Sequence, residues 1–139
     1  MNFLYAQIAG SFYFNGKLVA LGYSGNQGLN NPLWQGVKLH GPIPVGKYTI
    51  VSAVRPHLGP VVFSLLPDPE NNMLGRDALF IHWDTAQHDY TASDGCIIFR
   101  DMPVFQFIQK QVAAGNDKLE VVAMPPLVPA PSAAAKETT

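Results

Sequence analysis

Residues 80–99 read FIHWDTAQHDYTASDGCIIF, and this stretch decides how the chain folds. Two short apolar runs, 78–83 (ALFIHW) and 96–99 (CIIF), flank a polar segment from Asp84 to Ser93. Apolar runs of this length, bounded by turn-forming residues, read as strands. Each carries a reactive group at its loop end. His82 lies near the close of the first run, and Cys96 opens the second behind Ser93, Asp94 and Gly95. If the two strands are neighbours in one sheet, imidazole and thiol meet where the loop closes, at modest entropic cost.

Working outward, the rest of the chain is mostly β. Residues 3–14 and 17–23 are apolar and aromatic, with Asn15-Gly16 between them, the dipeptide that favours a type I′ hairpin turn. A Gly/Asn-rich loop without period follows (SGNQGLNNPLWQG). GPIPVGKYTIVSAV then leads into a strand that Pro42 and Pro44 stiffen and Gly46 frees. Residues 61–66 (VVFSLL) and 118–123 (KLEVVA) supply two more strands. One helix is expected over 102–114, with Asp101 as N-cap, Pro103 in the first turn and Gly115 at the close. The fold class is therefore mainly β, a sheet-rich domain over 1–124 with one short helix. Residues 125–139 (PPLVPAPSAAAKETT) have the composition of a disordered Pro/Ala tail.

Composition narrows the function classes. The 139 residues are 47% hydrophobic and 14% charged, which fits one globular domain. A net charge of −1 without a Lys/Arg cluster argues against nucleic acid and anionic lipid as partners. No apolar run reaches the length of a membrane span. The opening MNFLYAQIAGSF has no positive n-region or clear cleavage site, so no signal peptide is expected. The single cysteine forms no internal disulfide, and as an isolated residue it would read as a small core hydrophobe.

Its surroundings favour chemistry. Cysteine attack on a carbonyl needs a thiolate, which a nearby histidine supplies by taking the proton. Gly95 lets the backbone turn so that amides beside Cys96 face a developing oxyanion, and Ser93 can bond within that turn or to the imidazole. Between Arg76 and Arg100 there is no Lys or Arg, whereas Asp77, Asp84, Asp89 and Asp94 are acidic. Carboxylates raise the pKa of a neighbouring thiol, so either the His82 imidazolium offsets them or Cys96 is a weak nucleophile. Arg76 and Arg100 are the cations available to a substrate carboxylate. His88 competes with His82 for the role of base; Asp84 either orients the imidazole or is solvated; His40 and His57 sit beside turn residues with no tie to chemistry. The His82, His88 and Cys96 spacing matches no zinc pattern, and neither metal nor cofactor is expected.

Ser-x-Gly-Cys-Ile behind an Ile-His strand end resembles the catalytic motif of the L,D-transpeptidase (YkuD-type) family. Gly41-Pro42-Ile43-Pro44-x-Gly46-x-Tyr48 is similar to a segment that recurs ahead of that motif. The upstream hairpin and Tyr23-Ser24-Gly25 resemble more closely the type VI secretion L,D-transpeptidase-like effector branch. The similarity spans roughly residues 10–124. It implies an L,D-transpeptidase-like β-sandwich or sheet-rich fold and peptidoglycan stem tetrapeptides as substrates. It also implies a thioacyl-enzyme on Cys96, with His82 as base, Gly95 and Cys96 as oxyanion donors and Ser93 in support. Arg76, Trp83, Tyr23 and Arg100 are the candidate substrate contacts. The reactions implied are L,D-carboxypeptidase action and exchange with D-amino acids. Trp83 stands where glycine is common in the family, Asp94 where histidine is, and Ile98 where arginine is; Arg100 shares the strand face of Ile98.

The resemblance further implies synthesis in a bacterial cytoplasm and action in the periplasm of a target cell. Delivery by a secretion system would reconcile a wall substrate with the absent signal peptide, and an immunity protein and a secretion-machinery component are the implied partners. Two other readings use the same residues: a different cell-wall cysteine amidase, or a non-catalytic module that binds peptidoglycan or a partner.

Overall fold

The computed structural model describes residues 2–25, 30–38, 40–84 and 95–125. The expected tail beyond Pro125, and with it His88, Asp89, Ser93 and Asp94, lies outside the described residues. Among the described residues nine strands form one sheet: β1 (Phe3–Ala6), β2 (Ser11–Phe14), β3 (Lys17–Leu21), β4 (Tyr23–Ser24), β5 (Gly46–Ala53), β6 (Val62–Pro67), β7 (Phe80–Trp83), β8 (Ile97–Phe99) and β9 (Lys118–Val122). Among the described residues the single α-helix is α1 (Met102–Ala113). The mainly β expectation holds.

Local chemistry explains most boundaries. Asn15 and Gly16 both take positive φ (49° and 83°), as a type I′ turn between β2 and β3 requires. The apolar run 3–14 is two strands rather than one, because Gly10 (φ 67°) turns the chain and β1 pairs antiparallel with β2. Along β5, Tyr48 and Ile50 are buried while Lys47 and Val51 are exposed, the alternation of a strand with one face on the core. Asp101 occupies the N-cap of α1, but its side chain makes no capping hydrogen bond. Gly115 closes the far end by donating to Val112 O at 3.0 Å.

The strand order is β3-β2-β1-β9-β5-β6-β7-β8-β4. Its two edge strands, β3 and β4, are joined through Gly22 alone, so the sheet must curl until its edges nearly meet. Gly22 marks that seam. Its N–H donates to Gly10 O at 2.7 Å, and a Cβ there would run into Ile98 O and come within 2.8 Å of the Phe99 ring. Inside the curl, Phe12 of β2 meets Phe99 of β8 with ring centroids 5.0 Å apart. Val104, Phe105 and Ile108 of α1 are buried in the same core.

Candidate active site

The pairing of β7 with β8 places the two reactive groups. The strands run parallel, with Ile81 opposite Ile97, His82 opposite Ile98 and Trp83 opposite Phe99. Side chains alternate, so Ile81, Ile97 and Phe99 enter the main core while Phe80, His82, Cys96 and Ile98 share the other face. Packing agrees with this parity, since Cys96, Ile98 and Tyr23 form a second apolar cluster with Phe80 against it. A strand spacing of about 4.8 Å and a rise of about 3.3 Å per residue put the Cα atoms of His82 and Cys96 roughly 8 Å apart. An imidazole and a thiol on one face can bridge that separation.

The orientation of His82 follows from one contact. Its Nδ1 lies 2.9 Å from the carbonyl oxygen of Trp83. A carbonyl only accepts, so Nδ1 carries the hydrogen and Nε2 is the basic nitrogen of the neutral ring. Cys96 is 7% exposed, and its Sγ accepts from Phe80 N–H at 3.3 Å.

Gly95 has a reason to be glycine. Its φ is +122°, and a Cβ would strike Nη2 of Arg76 while coming 3.2 Å from Leu79 Cδ2. The carbonyl of Gly95 accepts from Ser24 Oγ at 3.0 Å, and Ser24 Oγ in turn accepts from Ile43 N–H at 2.8 Å. Because the peptide is planar and trans, fixing this carbonyl also fixes the opposite direction of the Cys96 N–H. Ser24 is a positioning residue that the sequence offered only inside Tyr23-Ser24-Gly25. GPIPxGxY acts through the same brace: Ile43 donates to Ser24, and Tyr48 Oη donates to Pro44 O at 2.7 Å. Burial raises the Tyr48 phenol above its ordinary range, with the Arg76 charge acting in the opposite direction.

The candidate substrate contacts occupy different places. Arg76 is 5% exposed, and its guanidinium donates to the carbonyls of Gln35 (2.6 Å), Gly41 (3.1 Å) and Pro42 (3.3 Å). It stands in the wall behind Gly95, tying the 35–42 segment to the peptide before Cys96. Tyr23 Oη donates to Asp84 Oδ1 at 2.6 Å, and Arg100 Nε pairs with Asp84 Oδ2. The Arg100 guanidinium also lies 5.9 Å from the Tyr23 ring centroid. The Asp84 carboxylate is fully buried, so the expectation of a solvated residue is corrected. Tyr23, Ile98 and Arg100 line a cleft of about 190 Å³ at the Gly22 seam. Trp83 lines a second cleft of about 290 Å³ with His57, Leu58, Gly59, His82 and Asp84, and its ring packs on Phe105 at 5.5 Å. His57, which had no visible tie to chemistry, therefore shares a groove with His82. No signal within residues 54–60 foretold this, because the contact joins the β5–β6 connection to β7. Ser93 and the alternative base His88 lie outside the described residues.

Comparison with known proteins fixes the wider setting. No curated protein matches the chain. Among solved structures, Bd1075 from Bdellovibrio bacteriovorus is similar at TM-score 0.57 and 12% identity over 94% of this chain and 50% of its own. The helical cell shape determining protein Pgp2 from Campylobacter jejuni is similar at TM-score 0.53 and 19% identity, over 91% of this chain and 47% of its own. The chain thus spans about half the length of these structures, and the likeness is one of fold. In sequence, residues 19–124, from within β3 past the end of β9, match the Tlde1 domain. The chain belongs to the Tlde1 domain family.

Proposed function

We propose that this domain is a cysteine acyltransferase of peptidoglycan stem tetrapeptides, acting as an L,D-carboxypeptidase and exchanging the terminal D-alanine for other D-amino acids. The observation that carries the reading is the parallel β7–β8 register, which sets His82 and Cys96 diagonally on one face. Family membership and the resemblance to L,D-transpeptidases support the substrate class.

His82 Nε2 takes the Cys96 proton, and the thiolate attacks the carbonyl at the L-centre of the diamino acid, forming the S–C bond. The Cys96 N–H, aimed by the Ser24–Gly95 bond, is a donor for the resulting oxyanion. Collapse breaks the C–N bond to D-alanine, whose nitrogen leaves with the proton held on His82. Water then attacks the thioester and gives its proton to His82, releasing the tripeptide and returning the thiol. A D-amino acid amine in place of water gives exchange. The Arg76 guanidinium packs behind Gly95, the residue before Cys96, and holds a fixed positive charge there. Action in the target periplasm follows from delivery by the type VI apparatus, and a producer of such an enzyme needs an immunity protein to occlude the groove.

Digestion of purified muropeptides, read by mass spectrometry, tests the proposal. Wild type should convert tetrapeptides to tripeptides and Cys96→Ala should not. Release of a dipeptide instead would mark an amidase, and unchanged tetrapeptides in both digests would defeat the enzymatic reading. The burial of Cys96 favours one competitor, a groove kept for binding alone. In that case the thiol alkylates no faster near neutral pH than free cysteine does.

A further inference from the structure

We infer that Arg55, on the connection between β5 and β6, is the receptor for the free C-terminal carboxylate of the peptide. The inference rests on the proposed function above and adds a specificity residue to it. Neither candidate cation from the sequence is placed for that role, since Arg76 donates to three main-chain carbonyls and Arg100 is paired with Asp84. Arg55 is exposed. Its guanidinium carbon lies 5.5 Å from the Phe80 ring centroid, and the Phe80 N–H in turn contacts Cys96 Sγ at 3.3 Å. Arg55 therefore overhangs the face that carries both reactive groups.

Its segment is a built wall. Leu58 N–H donates to Arg55 O at 2.8 Å and Gly59 N–H to Pro56 O at 3.3 Å, closing a 3₁₀ turn over Pro56–Leu58. A Cβ on Gly59 would stand 3.0 Å from Trp83 Cβ, so this turn abuts β7. Between turn and strand lies the 290 Å³ cleft that His57, His82 and Trp83 line. Among the described residues that line it, the acidic one is Asp84, which accepts from Tyr23 and Arg100. Of the five guanidinium donors of Arg55, one goes to Val54 O at 2.8 Å, and the planar fork matches a carboxylate. His57, exposed on the same turn, adds a second donor at the rim. A stem tetrapeptide ends in a carboxylate one residue beyond the bond to be cut, so a cation beside Phe80 fits the leaving side of the scissile carbonyl.

Calorimetric titration of Cys96→Ala with the stem tetrapeptide and with its C-terminal amide tests this, because binding is then read without turnover. The tetrapeptide acid should bind roughly tenfold tighter than the amide, the gain of a bidentate contact to an exposed guanidinium. Adding Arg55→Ala should abolish the preference by weakening the acid alone, whereas Arg55→Lys should keep part of it. Equal affinity for acid and amide in the parent, or an undiminished preference without Arg55, overturns the inference. An Arg55-dependent preference in a protein that never cleaves tetrapeptide would refute the catalytic proposal and leave this one standing.

Discussion

Replacing Gly95 with alanine should destabilise the domain by roughly 3–5 kcal/mol, through two separable causes. A non-glycine residue held at positive φ costs about 1–3 kcal/mol, and Gly95 sits at +122°. The new Cβ would also meet Nη2 of Arg76, which holds the carbonyl of Gly41 at 3.1 Å. Moving the guanidinium aside forfeits at least one charge-assisted bond, worth about 1.5–3 kcal/mol. For a domain of this size a loss of 3–5 kcal/mol lowers Tm by roughly 10–15 °C. Arg76→Lys separates the causes, because lysine has no branched nitrogen at the point of collision and keeps the charge. In that background Gly95→Ala should cost only the backbone share, so urea denaturation of the four proteins should return a coupling of about 2 kcal/mol. Strictly additive losses would mean that Arg76 does not pack behind Gly95, and the brace behind Cys96 would have to be abandoned.

Other substitutions probe other parts of the account. His82→Ala should lower kcat on tetrapeptide by about 10²–10⁴-fold with little change in Tm, as removal of a general base does; activity within tenfold of wild type would hand that role to another group. Arg100→Met should cost about 2 kcal/mol, between a buried and a surface ion pair, because the guanidinium side chain is 36% exposed while Asp84 is fully buried. Adding Asp84→Asn should recover part of that loss by removing the buried charge, and a further fall in Tm would contradict the pairing. Deleting 126–139 should leave Tm within about 1 °C and muropeptide turnover unchanged, and a larger shift would show that the tail packs on the domain.

Local grammar was readable in the sequence and long-range closure was not. Asn15-Gly16 announced its hairpin because an I′ turn leaves few residue choices, and the β7 and β8 runs stood out because glycine and polar residues bracket them. Their parallel pairing, with His82 and Cys96 on one face, was legible only as a possibility, since register depends on the rest of the sheet. The curl has no local signature. It follows from β3 and β4 lying at opposite edges while Gly22 alone joins them. Asp84 reads as a loop carboxylate until the seam brings Tyr23 and Arg100 to it. The positions of Arg76 and Arg55 have the same cause. The residue near the motif in sequence folds into the wall behind Gly95, and the distant one arrives over Phe80 on a turn.

The central claim is that the Cys96 sulfur, activated by His82, becomes acylated by the stem peptide. Intact-mass spectrometry of the protein, acid-quenched within the first turnovers on tetrapeptide, tests it most directly. The account predicts a wild-type adduct equal in mass to the tripeptide acyl group, mapped to Cys96 and lost with hydroxylamine, and no such adduct on His82→Ala. Steady release of D-alanine from a protein that never carries this adduct would contradict it.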